Sequence, residues 1–149
     1  MVGVNIGAGQ IARAKRIAWT GGAAGMVLTG SIGVIVALFP TLWLHLFSSD
    51  PVVLADGMTY LRIVTPAYAA LGFGFVIAFA AQGAGHVFWP FVAALGRILV
   101  AAGLGWIAVG YFGAGLAALS AMVTVSLLVY ATACAMAMIT GSVWKTDRT

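Results

Sequence analysis

"IARAKRIAWTGGAAGMVLTGSIGVIVALF", residues 11–39, changes character at Arg16. Arg13, Lys15 and Arg16 crowd its start, and from Ile17 to Ser49 there is no Lys, Arg, Asp or Glu. A helix needs about 20 apolar residues to cross about 30 Å of hydrocarbon, and this run supplies them. The whole chain has the same bias. Of its 149 residues 63% are hydrophobic and 7% charged, with a mean hydropathy of +1.12. Soluble domains carry about 25% charged residues to cover their surface. This chain lacks that cover, so its solvent is lipid, where each spanning segment must satisfy its own backbone as a helix.

Four such segments are expected, making an all-α integral membrane protein with a single membrane region over 1–149. The spans are about 17–47, 52–81, 88–111 and 115–140, with a cytoplasmic tail at 141–149. Gly and Ala are frequent within them, and Gly21 with Gly25 forms a small-xxx-small pair that lets helices approach closely. The breaks carry turn chemistry. In "SSDP", residues 48–51, Asp50 is a cap and Pro51 fits the first helical position. "QGAGHVFWP" at 82–90 and "GYFGAG" at 110–115 are glycine-rich turns.

Charge orients the spans. Arg13, Lys15 and Arg16 precede the first span, while Lys145 and Arg148 follow the last. An even number of spans puts both clusters on one side, and the positive-inside rule makes that side the cytoplasm. Asp50 and Asp56 then lie outside. All three acidic residues, Asp50, Asp56 and Asp147, are expected in loops or at the terminus, so that no carboxylate remains within the spans.

Several chemistries are excluded. The net charge of +4 rests on few residues and does not make a nucleic-acid surface. Cys134 is the only cysteine, so it has neither a disulfide partner nor a metal-binding neighbour. His45 and His86 flank opposite ends of spans and cannot share a metal. Gly3, Gly7 and Gly9 do not fit the dinucleotide pattern, and no strand precedes them. Nothing pairs a nucleophile with a base, so an enzyme is not expected.

The opening "VGVNIGAGQIARAKR", residues 2–16, resembles a recurring stretch of the multidrug and toxic compound extrusion (MATE) transporters, V-G-x-N-x-G-A-G-x-x-x-R-A-K-R. Val2, Gly3, Asn5, Gly7, Ala8, Gly9, Arg13, Ala14, Lys15 and Arg16 match it. "LFSSDPVVLADGMTYLRI" at 46–63 is similar to that family's outer loop and the start of its tenth helix. "QGAGHVFWP" resembles its R-G-A-G-x-x-x-x-P break, with Gln82 and His86 in place of the usual Arg and Asp. Arg97 matches an Arg common in one branch. The resemblance implies helices nine to twelve of a twelve-helix transporter, part of one six-helix lobe, with 1–16 as the cytoplasmic end of a preceding helix. On this reading the chain is a C-terminal fragment in the inner membrane. Its partners are the bilayer and the preceding helices, its substrates lipophilic and often cationic. It has no bound cofactor, and a proton or sodium gradient drives the full-length family member.

Five residues stand out as substrate-path or hinge candidates. Arg97 lies about 10 Å along its helix from Pro90 at 1.5 Å per residue. It either faces a cavity or snorkels to the interface. Arg62 is an interface anchor or a pathway residue. Pro66 removes one helix hydrogen bond and frees the Arg62 carbonyl, which makes a hinge or a static kink. Thr65 and Tyr68, with Phe73, either line a path for an apolar cation or pack. Ser120 and Thr124 share a face at i, i+4, where hydrogen bonding to another helix is the default. Beside the transporter reading stand a non-transporting membrane remnant or packing subunit, and a small four-helix multidrug transporter. The last needs an intramembrane Glu, and the chain contains none.

Overall fold

The computed structural model describes residues 1–141, 143 and 144. Among the described residues seven helices follow one another: α1 (Val2–Gly7), α2 (Ile11–Leu38), α3 (Pro40–Leu44), α4 (Pro51–Val64), α5 (Tyr68–Gly83), α6 (Phe88–Phe112) and α7 (Leu116–Ile139). A 3₁₀ turn, Thr65–Ala67, joins α4 to α5. Four stretches are long and apolar enough to cross a membrane: α2, the joined α4–α5 over Pro51–Gly83, α6 and α7. The fold is all-helical with four spans. Lys145, Asp147 and Arg148, in the expected tail, lie outside the described residues.

Each boundary has a local cause. Phe39 precedes Pro40, and the clash with the proline ring moves it out of the helical region to φ −123°, ψ 53°. That ends α2, and Pro40 opens α3 at the position where a missing N–H costs nothing. The Asp50 carboxylate accepts from the Val52 N–H at 2.8 Å, with Pro51 at the first position of α4. Gly113, at φ 57°, turns α6 into α7. Two helix ends share one cap. In "GAGQ" (7–10) Gly9 has φ 72°, its N–H reaches the Ile6 carbonyl, and the Gln10 N–H reaches that of Asn5. In "GAGH" (83–86) Gly85 has φ 86°, its N–H reaches the Gln82 carbonyl, and the His86 N–H reaches that of Ala81. Both are Schellman motifs, which need a left-handed residue that glycine supplies without strain.

Two sequence expectations shift. The basic triplet lies inside α2, not before it, because the helix is already formed at Ile11. Asp56 lies within α4, not in a loop. The joined α4–α5 has 33 residues, about 50 Å of helix against about 30 Å of hydrocarbon. Its first turns therefore extend past the apolar layer, and Asp56 is exposed there.

The spans alternate in direction, and α5 with α7 forms the centre. Ile77, Ala78 and Ala81 of α5 pack with Tyr130, Cys134 and Met138 of α7. α2 lies along α5 on a seam of small residues. A Cβ on Gly25 would meet the Gly72 carbonyl oxygen at 3.1 Å, and one on Gly33 would collide with the Thr65 carbonyl. α6 pairs with α7. The Lys15 Nζ lies 5.7 Å from the centroid of the Trp144 ring, so the start of α2 and Trp144 meet at one end of the bundle. Asp50 and Gly113 lie at the other.

Candidate functional site

Threonine is an economical bridge in an apolar bundle. Its hydroxyl can sit between the carbonyl four residues back and a carbonyl on the next helix. Three threonines do this around the α4–α5 bend. Thr65 Oγ1 is 2.7 Å from the Leu61 oxygen and 2.8 Å from that of Gly33 on α2. Thr29 Oγ1, on α2, is 2.8 Å from the Gly25 oxygen and 2.7 Å from that of Tyr68. Thr124 Oγ1, on α7, is 3.1 Å from the oxygens of both Ser120 and Ile63. Each hydroxyl proton is shared between its own helix and its neighbour. Pro66 removes the amide that would have closed the helix onto Arg62. The carbonyls of Ile63 and Tyr68, on either side of that break, are the ones Thr124 and Thr29 reach. The bend is thus tied to α2 and α7 at once.

The structure brings Arg62, Thr65, Pro66 and Tyr68 together at this bend and places Arg97 elsewhere, on α6. Thr65 is 1% exposed and buried in the seam with α2. Arg62 and Pro66 are exposed, and Tyr68 is half-buried. Phe73 stacks on Trp19, with centroids 5.8 Å apart. Ser120 is buried and bonds its own helix through the Leu116 oxygen. The interhelical bond expected on that face is made by Thr124.

Arg97 is half-buried, and its Cζ lies 5.8 Å from the Tyr130 ring centroid. Among the described residues no hydrogen bond or ion pair reaches the guanidinium. A desolvated cation–π contact contributes about 2 kcal/mol. An Arg near the middle of a span costs about 2.5–3.5 kcal/mol on insertion scales. The ring therefore offsets part of the cost. Tyr130 was not singled out in the sequence. The available signal was a tyrosine well inside an apolar run, a residue whose ring packs and whose hydroxyl seeks a partner.

Tyr130 also belongs to a cleft of about 270 Å³ between α5, α6 and α7, walled by Phe75, Phe79, Phe91 and Pro90, with Gln82 among its lining residues. Phe75 meets the Tyr130 ring edge-on at 5.9 Å and lies 6.4 Å from Phe79. A second groove, of about 380 Å³, runs between α6 and α7 from Trp89 to Met136.

Comparison with known proteins gives one match. The family model described as MatE matches residues 1–107, which takes in α1 to α5 and most of α6. No curated protein and no solved structure matches the chain.

Proposed function

The chain belongs to the MatE family, whose members are transporters, and we propose that it forms part of one lobe of an exporter working by alternating access. The exporter exchanges lipophilic compounds, often cationic, for protons or sodium. The observation that carries this reading is the family match over the first three spans, joined to a fourth span that packs into them. α7 lies outside the matched residues, yet Thr124 bonds the Ile63 carbonyl and Tyr130 packs on α5. The four spans are one unit.

In this reading the chain lies in the inner membrane with both ends in the cytoplasm, and the preceding helices of the same transporter pack against it. Arg62, Thr65, Pro66 and Tyr68 form the bend of a path-lining helix. The threonine bonds favour a fixed bend over a free hinge. The driving ion binds outside these spans, because the only carboxylate in a described membrane-crossing helix, Asp56, is exposed near its end. Coupled exchange needs a group that binds the ion and alternates between the two sides. The test is dye efflux from cells stripped of their own exporters. The chain joined behind the first eight helices of a MatE-family exporter is expected to restore efflux, and the chain alone is not. Failure of the joined protein, when it is inserted and stable, would count against the lobe assignment.

A further inference from the structure

Arg97 lies one helical turn beyond the lining of an aromatic cleft and touches one of its walls, Tyr130. From the N-cap of α6 inward the cleft is lined by Val87, Pro90, Phe91 and Ala94. These fall at i, i+3, i+4 and i+7, one face of a helix. Arg97 is the next position on that face, within about 20° of Pro90 at 100° per residue. Its guanidinium rests on Tyr130, itself a wall of the cleft. The cleft thus runs inward from Gln82 and Val87, at the α5–α6 turn, to Ala94 and Tyr130, with the Arg97 guanidinium beyond them on the Tyr130 ring.

The components specify a ligand. Four rings, of Phe75, Phe79, Phe91 and Tyr130, present flat apolar surface for stacking. The guanidinium offers a planar fork of N–H donors that matches a carboxylate in two parallel bonds. Among the described residues no acidic side chain approaches it, and neither acidic residue described, Asp50 or Asp56, lies at this end of the bundle. A cation in this cleft would meet like charge at its head. An acyl chain would fill the volume without using the rings.

We propose that this cleft binds an aromatic carboxylate, with its ring system between Phe75, Phe79 and Phe91 and its carboxylate on Arg97. The site does not require that the chain exports anything, so loss of the transport reading leaves it standing.

The test is equilibrium binding to the 149-residue chain in phosphatidylcholine nanodiscs, with radiolabelled 2-naphthoate as probe. The acid is expected to bind saturably at one per chain. Its methyl ester and 2-naphthylmethylammonium are expected to bind at least tenfold more weakly. Arg97→Leu, which removes a charge from the membrane and so favours insertion, is expected to weaken the acid about tenfold and leave the ester unchanged. Arg97→Lys is expected to fall between. Equal affinity for acid and ester in the unaltered chain would overturn the proposal, as would full acid binding by Arg97→Leu. Complete displacement of naphthoate by a few per cent of phosphatidylglycerol would also overturn it, by showing that the occupant is a lipid.

Discussion

Thr65 has two neighbours that a valine of the same shape would lose, the oxygens of Leu61 and Gly33. The first bond is local to its helix, and the second ties α4–α5 to α2. Interhelical hydrogen bonds in membranes contribute about 0.6 kcal/mol on average and up to about 1.7. Thr65 is 1% exposed, so the Gly33 side of the seam has no lipid or water to take its place. Thr65→Val is therefore expected at the upper end of that range in an SDS-titration unfolding experiment. Thr132→Val is the comparison: its hydroxyl bonds only its own helix, at the Leu128 oxygen, on an exposed face. It is expected to change stability by less than about 0.5 kcal/mol, the usual surface scatter. Equal losses for the two variants would show that the seam bond carries nothing. The sequence marked Thr65 as a path-lining or packing residue but did not say which carbonyl its hydroxyl meets. The difference lies in which carbonyl faces the hydroxyl, and that depends on how α2 approaches. Glycine gave the hint: Gly25 and Gly33 stand in the α2 sequence on either side of Thr29, and small residues mark where a backbone comes close.

At the scale of elements, the four spans were legible because lipid leaves a chain few choices, and a charge-free run of that length must be a helix. The caps at Asp50 and Pro51 were legible for a similar reason, since each residue type has one cheap position. The placement of Asp56 and of Arg13, Lys15 and Arg16 was less so, because hydropathy marks the apolar layer and not the helix ends beyond it. The state of the α4–α5 bend was not readable either. Pro66 says that a bond is missing, and only the neighbouring helices say whether the bend is held. Thr29 and Thr124 hold it. Pro66→Ala restores an amide for the Arg62 carbonyl but leaves these ties in place. The spin-label distance between positions 54 and 79 is then expected to stay as in the unaltered chain. Adding Thr29→Val and Thr124→Val should let the helix straighten and lengthen that distance. A straightened helix in Pro66→Ala alone would show that proline, not the threonine ties, sets the bend.

At the scale of the whole molecule, the basic start of α2 and Trp144 share one end, while Asp50 lies at the other. In a background where buried Cys134 is replaced by Ala, Asp50→Cys is expected to react with an impermeant maleimide added outside cells. Arg16→Cys is expected to react only after the membrane is opened, and the reverse pattern would invert the topology. We propose that these four spans carry transporter architecture without the ion-coupling chemistry. Arginine as a residue type holds its proton at any working pH and cannot carry one on and off. His45 lies just past α3, at the bundle end away from His86. Asp56 is exposed on the protruding end of α4. Threonine and tyrosine oxygens ligate sodium only weakly. The most direct measurement places the purified 149-residue chain in liposomes with an imposed proton or sodium gradient and follows uptake of a lipophilic cationic dye. Uptake no greater than in protein-free liposomes is expected with either gradient, and gradient-driven uptake that stops when the gradient is collapsed would contradict the account.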